Sequence, residues 1–231
     1  MKNRILFRSA FLLLTVLCIS HSNGQKKAKL TPEEKANIKN SKVLLVRYEA
    51  PPLSFMTPKD AAGEGLIAKA TQSDIVDNRE RYRYYPSARL QKSVDSLFRA
   101  EGLITQVEIK DEAFEFMMPS ALKDLDRHKD VDADYIMEII VPLMGWRATY
   151  GVTKWRTYHL NLGVEVRIIR KSDMAMVWKN NTGYGGYNDK EMRFHITELE
   201  TGGVELIDSK LNVMVLQSSR KLVENYVKAK K

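Results

Sequence analysis

The sequence predicts one α/β domain, a mixed sheet of about five strands with packed helices and a long C-terminal helix. Three patterns lead there. Apolar and polar residues alternate from Tyr158 to Ile168; compact runs rich in β-branched residues stand at Val43 to Val46 and Tyr135 to Val141; and apolar stripes at helical spacing occur at Leu90 to Phe98 and again after Val204.

Each element has its own reason. Thr31-Pro32-Glu33-Glu34 places an N-cap residue, a proline at the first helical position and an acid at the third, which predicts a short helix to about Asn40. Val43-Leu44-Leu45-Val46, stopped by Pro51-Pro52, is apolar enough for a strand covered on both faces. No period holds from 53 to 86, so that stretch reads as a long irregular connection with at most a helical turn. Ser87 opens a helix in which Leu90, Val94, Leu97 and Phe98 share one face, with Gly102 placed to end it. Leu103 to Ile109 alternates as a strand, and Ser120 to His128 reads as a helix that buries Leu122 and Leu125.

Asp132-Ala133-Asp134 then leads into Tyr135 to Val141, whose β-branched content predicts a central strand. In the next strand Tyr158, Leu160, Leu162, Val164, Val166 and Ile168 make an apolar face, and His159, Asn161, Gly163, Glu165 and Arg167 a solvated polar face. Arg170 to Asp173 is the turn, Met174 to Asn181 the antiparallel return with Trp178 packed, and Gly183-Tyr184-Gly185-Gly186-Tyr187 a closing loop. The last helix runs from about Val204 to Val227, with Val204, Ile207, Leu211, Met214, Val215, Leu222 and Tyr226 inward.

Residues 1–24 have the layout of a bacterial secretory signal: basic Lys2, Arg4 and Arg8, an apolar run from Ala10 to Ile19, then small and polar Ser20 to Gly24. Cleavage after Gly24 is expected, leaving Gln25 as the mature N-terminus in the periplasm. The apolar run is shorter than the roughly 20 residues a membrane-spanning helix needs. An alternative is lipidation at Cys18, which would tether the chain to a membrane; Leu17 stands there where such cysteines normally follow a small residue. Either route leaves no disulfide within the mature chain. Residues 25–41 form a basic tether and the short helix, and 42–231 the α/β domain.

The formal charge of +8 falls by three, to +5, when the signal leaves. That is mild, and weak evidence for any one partner. The remaining length suffices for one well-buried core.

The chain resembles a group of small bacterial envelope proteins. The resemblance is carried by Asp132-Ala133-Asp134-Tyr135 entering a strand, Val164-Glu165-Val166-Arg167-Ile168, the turn at Lys171-Ser172-Asp173, the Val177-Trp178 return and the terminal helix. The group contains the curli-secretion pore lipoprotein, the lipoprotein activators of penicillin-binding proteins and the N-terminal domain of the Tol-system protein TolB. The resemblance implies an envelope α/β domain and leaves the role open, since fold does not settle function. Asp173-Met174 replaces the Thr-Gly that members often carry before the return strand.

Catalytic chemistry finds little support. His128, His159 and His195 show no metal-ligand spacing, and Cys18 leaves with the signal, so neither a metal nor a cofactor is expected. No Gly-x-Ser-x-Gly elbow is present, Ser218-Ser219-Arg220-Lys221 lies deep in the closing helix, and the Gly183 to Gly186 spacing does not suit a phosphate cradle. Asp132 and Asp134 read as turn or solvent acids. A hydrolase using His159 with a nearby acid is the enzymatic alternative.

Two clusters suit partner contact. Trp146, Arg147, Tyr150, Lys154, Trp155 and Arg156 lie between two predicted strands and combine the residue types that anchor interfaces. Arg79, Arg81, Tyr82, Arg83, Tyr84 and Tyr85 interleave cations with rings, a pattern suited to an anionic surface; export argues against nucleic acid. The expectation is a non-enzymatic periplasmic or outer-membrane-associated binding protein serving envelope assembly, secretion or transport, with an envelope protein or anionic envelope component as partner. Membrane association and homo-oligomers stay open. The alternative within this class is a subunit of an oligomeric outer-membrane pore, with the 142–170 region as its membrane hairpin.

Overall fold

The computed structural model describes residues 30–56, 81–117, 126–149, 157–185 and 189–229. The expected signal, most of the basic tether and the Leu122 and Leu125 contacts lie outside them. In chain order the elements are α1 (Pro32–Asn40), β1 (Lys42–Arg47), β2 (Ser54–Met56), α2 (Arg81–Ala100), β3 (Gln106–Ile109), β4 (Tyr135–Thr149), β5 (Thr157–Arg170), β6 (Ala175–Gly185), β7 (Arg193–His195) and α3 (Ile196–Lys228).

The strands form one seven-stranded mixed sheet. Its main path is β3-β1-β4-β5-β6, the five strands expected, with β2 added beside β4 and β7 beside β5. β1 runs parallel to β3 and β4, whereas β4, β5 and β6 are antiparallel neighbours. The two short additions have three residues each, too few to display a period of two.

The three helices among the described residues lie on one face. Ile38 of α1, Leu90, Val94 and Phe98 of α2, and Ile207, Leu211, Met214, Leu222 and Tyr226 of α3 join one cluster with Tyr158, Leu160, Leu162, Val164, Val166 and Ile168 of β5. Each such side chain contributes about 1.5–3 kcal/mol through burial. Thr31 caps α1 as expected, its hydroxyl accepting from the Glu34 amide at 3.1 Å.

Several elements depart from expectation. α2 begins at Arg81, ahead of Ser87, and carries Pro86 inside it; proline's bias against helix interiors hides this start from a sequence reading. The end of the expected 120–128 helix is a 3-10 turn at Asp126–His128. β6 continues through Gly183-Tyr184-Gly185, where a loop was expected. Gly185 has φ +90°, and a Cβ there would sit 2.0 Å from the Leu160 carbonyl, so glycine here serves close strand approach. α3 starts before Val204, capped by His195 and Glu198, and breaks at Gly203 (φ +49°); the expected start at Val204 therefore coincides with the second helical segment.

The polar face of β5 is the largest correction. His159 is only 1 % exposed, and Glu165 and Arg167 are buried as well. Glu165 and Arg167 lie side by side on that face. Arg167 Nε donates to Glu165 Oε1, and Lys179 of β6 pairs with Glu165 Oε2 at 2.9 Å. Charge pairing lets residues that read as solvated lie out of water.

Candidate interaction surface

The first predicted cluster divides. Trp146 is not a loop residue: it belongs to β4, opposite Leu160, and is 0 % exposed. Its ring meets Phe194 of β7 edge-on, with centroids 5.4 Å apart and planes at 83°. The physical reason is a register irregularity. Ile140 pairs with Glu165 and Leu143 with Gly163, so β4 spends three steps where β5 spends two. This bulge, containing Pro142, reverses which face successive residues occupy. Met137, Ile139 and Val141 face the helices before it, and Met144 and Trp146 after it. Leu143 is left exposed.

Arg147 lies in β4 opposite His159. Tyr150, Lys154, Trp155 and Arg156 fall outside the described residues, as does Arg79. Arg81, Tyr82 and Arg83 lie in the opening turn of α2, not in an irregular connection. Tyr85, one turn further along, reaches a surface groove.

A buried polar cluster occupies the face of the sheet away from the helices. Glu138 of β4, fully buried, accepts from the Tyr48 hydroxyl at 2.7 Å and from Arg127, and lies 2.8 Å from His128 Nε2. Arg127 also donates to the Tyr48 oxygen. Burial pushes the Glu138 carboxyl up, but the His128 hydrogen bond, the Arg127 charge and the Tyr48 hydroxyl outweigh it and hold the group below the usual carboxylate range. Burial, with Glu138 beside it, pushes the Tyr48 hydroxyl up. The cluster fastens the Asp126–His128 turn to β1 and β4. His128, Tyr48 and Glu138 are all out of reach of solvent, so this arrangement serves structure better than turnover.

The groove lies between α2 and α3 and has a volume of about 740 Å³. From α2 it takes Tyr85, Ala88, Arg89, Lys92 and Ser93, spaced to form one outward stripe; from α3 it takes Asn212, Val215 and Leu216. The Tyr85 hydroxyl donates to Asn212 Oδ1 at 2.8 Å, bridging the helices, and the Arg89 guanidinium lies 4.8 Å from the Tyr85 ring centroid. Leu216 is 40 % exposed, and Val213 beside it on α3 is also exposed. Asp95, the acid of α2, is held by Arg99 at 2.8 Å. Among the described residues neither Arg89 nor Lys92 forms an ion pair. The groove is thus apolar at its base and cationic at its rim.

No protein-family model matches this sequence, and no curated protein matches it. Solved structures do. A minor lipoprotein from Acinetobacter baumannii is similar at 10% identity over 80% of this chain and 89% of that one, with a TM-score of 0.38. Protein XCC0632 from Xanthomonas campestris is similar at 14% identity over 86% and 90%, with a TM-score of 0.42. The PelC dodecamer from Paraburkholderia phytofirmans is similar at 15% identity over 77% and 84%, with a TM-score of 0.33. Likeness at this level transfers no residue's role.

Sequence reasoning missed Arg89, Lys92, Val213 and Leu216. The signal lay in the stripes already recognised. If Leu90, Val94, Leu97 and Phe98 face inward, then Tyr85, Ala88, Arg89 and Lys92 must face away from the sheet. What the sequence could not show is that α3 runs alongside them. Among the described residues no three His, Cys, Asp or Glu converge as a metal site, and no helix is long and apolar enough to cross a membrane.

Proposed function

We propose that this is an exported, non-enzymatic envelope protein that binds an anionic face of another envelope component through the α2–α3 groove. The observation that carries the reading is the placing of Arg89 and Lys92, which form no ion pair among the described residues, beside exposed Leu216 in one groove. Apolar area supplies affinity and rim cations steer a negatively charged partner and set its orientation. The layout of residues 1–24 supports delivery to the periplasm, with Cys18 as the alternative tethering point.

Other readings find less support. A hydrolase built on His159 would need that imidazole to reach substrate, and it is buried in the sheet. A pore subunit would need the 142–170 hairpin to leave the domain, yet Met144, Trp146, Leu160 and Leu162 from its arms pack in the main core. The intervening 150–156 stretch is shorter than the roughly 9–11 residues of one membrane strand. Tyr150, Lys154, Trp155 and Arg156 remain proposed as a second contact region.

The test is site-specific photo-crosslinking in intact cells. A crosslinker replacing Leu216 should yield an envelope adduct that one replacing exposed Glu112, on another surface, does not. Equal labelling at both positions, or none at 216, overturns the reading.

A further inference from the structure

Resting on that reading, we infer that the occupant of the α2–α3 groove is an acidic amphipathic helix from a partner protein. Three features select it. The first is shape: the groove runs between two helices packed side by side on the sheet, so a third helix laid into it would meet Ala88 and Ser93 on one wall and Val215 and Leu216 on the other. The small side chains on the α2 wall permit close approach, and an apolar stripe with i, i+3, i+4 and i+7 anchors is what such a groove reads.

The second is charge. Arg89 and Lys92 stand three residues apart on the rim, on the exposed side of α2, and among the described residues no carboxylate lines the groove. A helix entering with Asp or Glu beside its apolar stripe would neutralise both, and one entering with Lys would be repelled. The third is the polarity of the wall. Tyr85 has its hydroxyl committed to Asn212 and one ring face taken by Arg89, which disfavours its use as a stacking platform for a sugar. Exposed Leu216 and Val213 sit too near the surface to hold an acyl chain away from water, but they suit the edge of a helix interface.

The experiment uses the mature chain and a designed probe of about 18 residues, near 27 Å long as a helix. Its leucines follow the i, i+3, i+4, i+7 pattern, flanked by glutamates; a control peptide carries lysines there instead. Fluorescence anisotropy is read at about 0.05 and 0.3 M salt, which shortens the screening length about 2.4-fold. The glutamate peptide should bind and weaken with salt, and the lysine peptide should not bind. Arg89→Glu with Lys92→Glu should loosen the glutamate peptide by about tenfold or more, and Leu216→Ser should weaken it while both variants keep the melting temperature. These three residues are on the surface, so folding is not at stake.

Equal binding of the two peptides overturns the inference. So does a failure of the glutamate peptide alongside capture of phosphatidylglycerol vesicles that the double charge reversal abolishes, since the occupant would then be a lipid surface. If the 216 crosslink in cells still yields an envelope adduct while no peptide binds, the helix is wrong and the binding reading stands. If the crosslinked product is two copies of this chain, the inference is overturned in favour of self-association.

Discussion

Trp146 of β4 and Phe194 of β7 meet edge-on with ring centroids 5.4 Å apart, and both rings are buried in the main core. A residue with the composition of an interface anchor is thereby committed to packing. Trp146→Ala should cost about 3–5 kcal/mol of stability, read by urea denaturation. A variant that melts with the wild type would mean that Trp146 is not packed as the structure has it.

The charged row on the other face predicts an unusual sensitivity. Glu165 lies buried between buried Arg167 and the more exposed Lys179, so Glu165→Lys would leave the Arg167 charge buried without its carboxylate and set a second buried cation beside it. Breaking a buried ion pair this way should cost about 3–5 kcal/mol, as much as Val166→Asp on the apolar face. From the alternation alone Glu165→Lys would have been harmless. Retention of soluble, cooperatively melting Glu165→Lys protein would place Glu165 in solvent after all.

The Glu138 cluster predicts acid lability. Its folded carboxyl titrates below the unfolded value of about 4.3. The unfolded chain therefore takes up the proton first as pH falls. The stability contributed is complete above the unfolded pKa and is lost as pH drops through the folded one. Glu138→Gln should lower stability near neutrality by about 3 kcal/mol, and the gap to wild type should narrow from about pH 4 downward. Denaturation midpoints measured from pH 7 to pH 3 decide it, and parallel curves would reject the assignment.

Gly185 offers a backbone test. With φ at +90° and the Leu160 carbonyl where a Cβ would go, Gly185→Ala should lose about 1–3 kcal/mol from conformational strain and more from the clash. Gly163→Ala, in β5, would place its Cβ at ordinary contact distance, 3.4 Å from Leu143 Cβ, and should cost less. Comparison of the two melting temperatures checks the β5–β6 approach.

Much of the architecture was legible because its signals are local. The Thr31 cap, the Leu90 to Phe98 stripe, the inward face of α3 and the alternation of β5 each lie within a few turns of chain, and each has its expected place. Helix α2 shows where local signals mislead, since Pro86 argued for an end to irregular chain and lies inside the helix instead. The candidate site was less legible. Tyr85 belonged to a recognised cluster, but Arg89 and Lys92 drew no notice because exposed cations on a helix are ordinary; only Leu216 of α3, more than a hundred residues later, turns that face into a groove.

By itself the sequence determined the five main strands, the core of each long helix and the apolar side of each, because hydrophobic periodicity follows from backbone geometry one element at a time. Tertiary structure alone decided three things: that the bulge at Pro142 turns Trp146 inward, that Glu138, Glu165 and Arg167 find buried partners, and that α2 and α3 lie side by side. Each depends on how one element is registered against another. Pairing register reverses every side chain when it slips by one residue, and that information is carried by contacts between distant segments.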